Sequence, residues 1–79
     1  MIIQLLNRPD CHLCEVAESI LRRLRLDYVM VDVDSDPALA SRWGDAIPVL
    51  LFDDEEVARA PISAEAVKAA LTNRKVRQA

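Results

Sequence analysis

Cys11-His12-Leu13-Cys14 lies between a short apolar segment and a strongly amphipathic one. The apolar run at residues 2–6 predicts a buried strand, and the 3.6-residue periodicity that follows the motif predicts a helix. A helix N-terminus leaves backbone N–H groups unpaired and carries the positive end of the helix dipole, so it stabilises a sulfur as its thiolate. Because the thiolate is the form that attacks disulfides, this motif predicts thiol–disulfide chemistry.

The chain has 2 cysteines, and both lie in this motif. A disulfide between Cys11 and Cys14 would close too small a loop to constrain much chain entropy, so it would stabilise the fold only slightly. Two intervening residues nevertheless allow the sulfurs to meet without a large backbone movement. We therefore predict a reversible disulfide that serves chemistry rather than stability.

Composition favours one small domain over residues 1–79. The chain is 52% hydrophobic and 29% charged, which is enough apolar material for one core. Its net charge of -3 argues against general nucleic-acid binding, and the basic residues at 74–79 are expected to be a frayed, solvated tail. No apolar run approaches the roughly 20 residues that span a bilayer. Because no secretory leader follows Met1, we expect a cytoplasmic protein. A monomer is the default expectation for its oligomeric state.

Hydrophobic periodicity and turn residues predict the element order β-α-β-α-β-β-α. We expect strands at residues 2–6, 28–33, 48–52 and 57–60, and helices at about 11–24, at 37–43 and after Ser63. The first two strands and the helix between them form a βαβ unit, which makes these strands parallel. Gly44 stands where the second helix is expected to end. The pattern is that of an α/β fold.

Residue spacing also predicts how some side chains pack. The apolar positions of the first helix are Leu13, Val16, Ala17, Ile20, Leu21 and Leu24. Their i, i+3, i+4, i+7 spacing predicts a single face packed on the sheet. Trp43 is expected to pack against the sheet rather than to serve as a substrate platform. The acidic residues 53–56 predict a hairpin whose loop is longer than the tightest turns, and they do not indicate a metal site.

The element order, the C-x-x-C motif and a proline that opens the third strand together resemble the thioredoxin fold in its minimal, glutaredoxin-like form. The resemblance covers nearly the whole chain and is strongest in Cys11-His12-Leu13-Cys14 and in residues 43–50, Trp43-Gly44-Asp45-Ala46-Ile47-Pro48-Val49-Leu50. More narrowly, the chain is similar to small bacterial glutaredoxin-like proteins that carry Cys-His-Leu-Cys. The resemblance implies a four-stranded mixed sheet in the order 2-1-3-4. Helices would cover both faces, the first and third on one and the second on the other.

The resemblance also implies roles for individual residues. Cys11 would be the exposed nucleophile and Cys14 the more buried resolving thiol. The Ile47-Pro48 bond would be cis, and the backbone of Ile47 would be presented to an extended substrate. No permanently bound cofactor and no metal is implied; glutathione would be a co-substrate, and the partners would be protein disulfides or glutathione mixed disulfides.

Two charged residues near the motif are candidates for substrate binding. Arg8 either contacts an anion, such as the thiolate or a glutathione carboxylate, or is a solvated loop charge. His12 either favours the thiolate when it is cationic or is an exposed residue merely tolerated in the first turn. The chain departs from typical glutaredoxins at two places. They have Pro-Tyr or Pro-Phe between the cysteines, where this chain has His12-Leu13, and a Gly-Gly turn after the fourth strand, where this chain has Ala60-Pro61.

Two other classes of function fit parts of the sequence. A metal or iron–sulfur site normally needs about four protein ligands, and one C-x-x-C with His12 supplies too few unless two chains meet. An interaction module with little turnover would keep the fold without the chemistry. A thiol–disulfide oxidoreductase of cell redox homeostasis accounts for the thiols, the helix start and the proline loop together, and it is the function that we predict.

Overall fold

The elements follow the predicted order in the computed structural model, which describes residues 1–78 and the side chains of residues 1–73. They are β1 (Ile3–Asn7), α1 (His12–Arg23), β2 (Val29–Asp32), a 3-10 turn (Val33–Ser35), α2 (Pro37–Trp43), β3 (Val49–Phe52), β4 (Glu55–Arg59) and α3 (Ala64–Gln78). The predicted frayed tail falls at residues 74–79, whose side chains lie outside the described residues. No helix in the described part of the chain is long and apolar enough to cross a membrane.

The four strands form one mixed sheet in the order β2-β1-β3-β4, as the resemblance implied. β1 runs parallel to β2, and Asn7 is paired with Asp32 at the end of both strands. β1 runs antiparallel to β3, with Leu6 opposite Val49. The carboxyl ends of β1 and β2 and the start of β3 therefore lie at the same end of the sheet. The chain enters α1 at that end.

Alternating side chains of the strands divide the core between the two faces of the sheet. One face packs on α1 and α3, and its buried cluster consists of Ile3, Leu5, Ala17, Leu21, Leu50, Phe52, Ile62 and Val67. The other face packs on α2, and its buried cluster consists of Leu6, Val33, Trp43, Val49 and Leu51. Two layers of helices thus cover a sheet whose central strand β3 is buried along its full length, and the predicted packing of Trp43 is confirmed.

The buried face of α1 differs from the predicted stripe. Its fully buried residues are Cys14, Ala17 and Leu21, whereas Leu13 and Val16 are 50% and 40% exposed. A cysteine behaves as a small apolar side chain, so Cys14 can take the core-facing position of the first turn. Leu13 and Val16 then lie beside the buried face of α1 rather than on it. The prediction that Leu13 and Val16 pack on the sheet is wrong.

The hairpin between β3 and β4 is tighter than predicted. Only Asp53 and Asp54 connect the strands, and Glu55 and Glu56 already belong to β4. Both turn residues have left-handed backbone, with φ of 49° and 67°. Two consecutive left-handed residues match the twist of a two-residue hairpin, and aspartate is one of the residues that tolerate this conformation. The acidic run was therefore wrongly interpreted as a longer loop.

The second strand is shorter than predicted and lies at the edge of the sheet. Tyr28 and Val33 fall outside β2, and Val33 instead begins a 3-10 turn. Asp32 caps that turn by accepting a hydrogen bond from the backbone N–H of Asp34 at 2.9 Å. This turn places Asp34 beside the segment that follows β1.

Gly44 ends α2 as predicted, and the reason is a close approach. Its φ of -53° is right-handed, so the position does not need a glycine for backbone freedom. A Cβ atom there would lie 2.5 Å from the carbonyl oxygen of Ala40, which is closer than real contacts allow. At the other end of α2, Asp36 accepts a hydrogen bond from the N–H of Ala38 at 2.9 Å.

Candidate active site

The two cysteines lie at the start of α1, as the sequence predicts. Cys11 is the N-cap of the helix, with extended backbone at φ -102° and ψ 106°. Its sulfur is bonded to that of Cys14, and the two Cα atoms are 5.2 Å apart. The backbone N–H of Cys14 donates to Cys11 Sγ at 3.2 Å. A free N–H group of the first helical turn therefore points at the sulfur of Cys11, where it would stabilise negative charge.

The two sulfurs differ in their access to solvent. Cys11 is half-buried, whereas Cys14 is only 2% exposed and is packed beneath the first turn of α1. A reactant that approaches from solvent therefore meets Cys11 first. Cys14 can be reached chiefly through the bond that it makes with Cys11.

A cleft of about 140 Å³ opens beside the disulfide. Its walls are the loop between β1 and α1, the flank of α1 that carries Glu15 and Glu18, and Met30 of β2. Both cysteines and Arg8 line this cleft. The structure thus brings three of the predicted site residues together at one opening.

Arg8 makes a bidentate ion pair with Asp34, which was not predicted from the sequence. Its Nε donates to Asp34 Oδ2 at 2.7 Å and its Nη2 donates to Asp34 Oδ1 at 3.0 Å. These hydrogen bonds lower the pKa of Asp34 and raise that of Arg8. The parallel pairing of β1 and β2 could have revealed the contact, because it places the residues after Asn7 and after Asp32 side by side.

His12 lies on the outer side of the motif. Its side chain is 84% exposed, and its Nδ1 is 3.9 Å from Glu15 Oε2 in the same helical turn. It points to solvent at the rim of the site, so a partner that reaches Cys11 could also reach His12. Its role in substrate binding stays a prediction.

The Ile47-Pro48 bond is cis, in agreement with the resemblance. Pro48 is buried and directly precedes Val49, which is opposite Leu6 of β1. This register places the proline at the end of the sheet where β1 finishes, next to the loop that carries the C-x-x-C motif. The side chain of Ile47 packs against the core under α2, which leaves its backbone for other contacts.

Other features of this region were missed by the sequence analysis. The Ala60-Pro61 bond is also cis. Tyr28 donates its hydroxyl hydrogen to Glu18 Oε2 at 2.8 Å, and Arg22 Nε donates to the Tyr28 oxygen at 3.2 Å. These contacts join α1 to the segment before β2.

Within the described residues, no three His, Cys, Asp or Glu side chains are grouped so that they could hold a metal ion.

Comparison with known proteins places this geometry in a family. The family model of the glutaredoxin-like domain (DUF836) matches residues 2–72, which include the disulfide, the cleft and both cis prolines. The chain belongs to the glutaredoxin-like domain family. Its fold is the thioredoxin-like fold that the element order predicted.

Individual relatives agree with this assignment. An uncharacterized protein of Mycobacterium tuberculosis is 35% identical over 63 residues, which are 68% of this chain and 65% of that protein. The chain therefore spans about 65% of the length of this curated relative. The X-ray structure of the target protein XcR50 from X. campestris is 33% identical, with a TM-score of 0.81 over 90% of this chain and 96% of that one.

A named glutaredoxin shares the fold at lower similarity. The holo form of glutaredoxin C1 from Populus tremula x tremuloides has a TM-score of 0.59 and 11% identity over 96% of this chain and 79% of that one. At this identity the likeness concerns the fold alone. The family of this chain and its cysteine pair both agree with a redox role.

Proposed function

We propose that this protein is a thiol–disulfide oxidoreductase that acts in cell redox homeostasis. The observation that carries the proposal is the unequal cysteine pair at the start of α1. Cys11 is accessible and receives a backbone N–H, and it is bonded to a buried Cys14. A structural disulfide needs neither the access nor the hydrogen bond, whereas an exchange reaction uses both.

The proposed reaction transfers two electrons from the protein to a partner disulfide. The Cys11 thiolate attacks one partner sulfur, a Cys11–partner bond forms, and the partner's S–S bond breaks, so that its second sulfur leaves as a thiolate and takes up a proton. Cys14 then gives up its proton and attacks Cys11 Sγ. The Cys11–partner bond breaks, the partner sulfur that was bonded to Cys11 leaves as a thiolate and takes up a proton, and the Cys11–Cys14 disulfide is the oxidised product.

Neighbouring residues are assigned supporting roles in this proposal. The backbone of Ile47, ahead of cis Pro48, would hold an extended segment of the substrate. His12, exposed beside Cys11, would contact the bound partner. Arg8 lines the cleft with its guanidinium held by Asp34, so its contribution would be to shape the cleft.

The proposed setting is the cytoplasm, where the protein would act as a monomer. Its substrates would be protein disulfides or glutathione mixed disulfides. Glutathione would enter as a co-substrate that reduces the oxidised protein, with no cofactor bound permanently. This arrangement needs only the two sulfurs of the chain to carry electrons.

The proposal is tested by equilibrating the protein in buffers of graded glutathione redox potential. Mass spectrometry would count the dithiol, the intramolecular disulfide and the glutathionylated form at each potential. We expect one reversible two-electron transition with a midpoint of roughly -270 to -120 mV, the range of thioredoxin-like dithiols. The reduced protein should also reduce the disulfides of insulin. Absence of the Cys11–Cys14 disulfide at every potential, or its formation without any transfer to insulin, would refute the proposal.

A further inference from the structure

The side chains that line the cleft beside Cys11 carry mostly negative charge. Among these residues, all in the described part of the chain, Arg8 is the only cation, and it is outnumbered by the carboxylates of Asp10, Glu15 and Glu18. A substrate group that enters the cleft next to Cys11 therefore meets a negative field, unless Arg8 is free to counter it.

Arg8 is not free. Both prongs of its guanidinium fork are taken by the two carboxylate oxygens of Asp34, which is the geometry of the strongest arginine–carboxylate pairs. Asp32 and Asp45 add to the negative field around the guanidinium. The guanidinium keeps other N–H donors, but its charge is balanced by Asp34, and an incoming carboxylate would also approach these two further acids.

The acids of the cleft are differently placed. Glu18 is partly buried, accepts from Tyr28 and lies 3.5 Å from Arg22, so part of its charge is balanced. Glu15 is 75% exposed, and its cationic neighbour would be His12, at 3.9 Å, only when that imidazole is protonated. The field at the mouth of the cleft therefore comes mainly from the exposed acids.

The opposite flank of α1 is apolar. Leu13 and Val16 are exposed, and helical periodicity places them away from the side that carries Glu15 and Glu18. Cys11 thus lies between an acidic cleft and an apolar strip. A polypeptide segment that extends on either side of a cysteine could contact both.

From this arrangement we propose that Asp34 is a specificity-determining residue: by holding Arg8 it keeps the cleft acidic, so that the site prefers polypeptide disulfides flanked by basic residues to anionic thiols and disulfides such as those of glutathione. The inference rests on the proposed function, because it concerns which disulfides Cys11 attacks. Glutathione remains a co-substrate, and it is a poor one compared with a basic polypeptide.

The test uses two synthetic peptides that are identical except at the residues flanking their single cysteine. These residues are lysines in one peptide and glutamates in the other, and each peptide is supplied as its disulfide-linked homodimer. One molecule of reduced protein passes two electrons to one dimer, which yields two peptide thiols and the Cys11–Cys14 disulfide. Each rate is divided by the rate of the same dimer with dithiothreitol, a small reductant whose only charge is its reacting thiolate, which removes the intrinsic difference in reactivity.

We expect the protein to reduce the lysine dimer at least about threefold faster than the glutamate dimer at low salt, after this normalisation. The ratio should fall toward one in about 1 M salt, where charges are screened within a few ångströms. Equal normalised rates at low salt, or faster reduction of the glutamate dimer, would overturn the inference.

Charge-matched variants assign the preference to Asp34. Asp34→Asn keeps the shape, frees Arg8 and should lower the lysine-to-glutamate ratio by about twofold or more, with faster oxidation by oxidised glutathione. Arg8→Gln should raise the ratio, because it leaves Asp34 unbalanced. Asp27→Asn is the control, since Asp27 is an exposed acid just before β2 that is not among the residues lining the cleft.

The outcomes separate the two proposals. If Asp34→Asn changes the ratio no more than Asp27→Asn does, the role of Asp34 is refuted while the oxidoreductase proposal stands. If the wild-type protein reduces neither dimer, the oxidoreductase proposal itself is refuted, and the inference with it. Circular dichroism of each variant checks that the fold is retained.

Discussion

The starts of α1 and α3 have nearly the same geometry and different consequences. At α1, Cys11 Sγ accepts from the N–H of Cys14 at 3.2 Å. At α3, Ser63 Oγ accepts from the N–H of Ala66 at 3.1 Å. The backbone carbonyl of each cap residue also accepts the first helical hydrogen bond, from Glu15 at 3.1 Å and from Val67 at 3.2 Å. Each cap satisfies N–H groups that the helix leaves unpaired.

The difference between the two ends shows what turns a helix cap into a candidate active site. A serine hydroxyl fills the cap and can exchange no electrons at this position. A sulfur fills the same place and accepts the corresponding N–H, which would then stabilise its thiolate. The second requirement is a partner three residues on, where α1 has Cys14 and α3 has Ala66. Helix geometry supplies the electrostatics, and the residue type supplies the chemistry.

The largest expected effect comes from making the first cap like the second. Cys11→Ser should lower the rate of disulfide reduction by about 10³-fold or more, because the attacking atom is lost. Serine is itself a preferred N-cap, so the free energy of unfolding of the reduced protein should change by less than about 0.5 kcal/mol. Insulin reduction and denaturant unfolding of the reduced forms measure the two quantities.

The reverse exchange is the matched control for that prediction. Ser63→Cys places a cap thiol at α3 with no resolving cysteine, and it should add no insulin reduction to the Cys11→Ser background. Substantial activity in this double variant would mean that any cap thiol suffices, and the comparison between the two helix starts would fail.

The next effect concerns the partner sulfur. Cys14→Ala keeps a small apolar group in the buried position and removes the thiol that releases the substrate. Turnover on protein disulfides should fall about tenfold or more, since an intramolecular attack is replaced by one from solution. Mixed disulfides between Cys11 and the substrate should accumulate on non-reducing gels. Cys11→Ala, which leaves only the buried Cys14, should trap none, and equal trapping by both variants would contradict the assigned order of the sulfurs.

A smaller effect is expected at the cap that carries no chemistry. Ser63→Ala should lower the free energy of unfolding by about 1 kcal/mol, the usual contribution of a helix N-cap. For a domain of this size the melting temperature should fall by about 4–8 °C. Turnover of the folded protein at 25 °C should not change. Ser63→Asp should restore the stability, and failure of that rescue would mean that Ser63 acts through something other than its hydrogen bond to Ala66.

The smallest expected effect is a difference between the starts of α1 and α3 in how hydrogen-exchange protection depends on pH. The hydrogen bonds from Arg8 lower the pKa of Asp34 from its ordinary value of 3.8, so the pair contributes stability above that value and loses it as pH falls through the lower, folded pKa. Arg8 belongs to the loop that leads into α1, so loss of the pair should loosen that loop. Hydrogen exchange should therefore show protection at Cys14 and Glu15 falling a few-fold more below about pH 4 than protection at Ala66, and Asp34→Asn should abolish this difference.

Much of the local structure could be predicted from the chain. The bounds of α2 agree with the residues predicted, and α1 begins where the cysteine motif and the periodicity indicated. The sheet order and the cis Ile47-Pro48 bond came from the resemblance of the whole chain to a family, and both are confirmed. The β3–β4 hairpin was predicted correctly, but its loop was predicted too long, because the sequence does not show that Asp53 and Asp54 adopt the left-handed conformation of a two-residue turn.

The sequence by itself determined the helix starts, the two faces of the sheet and the chemistry available at Cys11 and Cys14, because capping, periodicity and spacing act over a few neighbouring residues. Only the tertiary structure decided that Arg8 is held by Asp34, 26 residues away, that Leu13 remains exposed while Cys14 is buried, and that Met30 of another strand closes the cleft. These contacts join segments that come together when β1 pairs with β2. Their partners are chosen by strand register and packing, which no short stretch of the chain encodes.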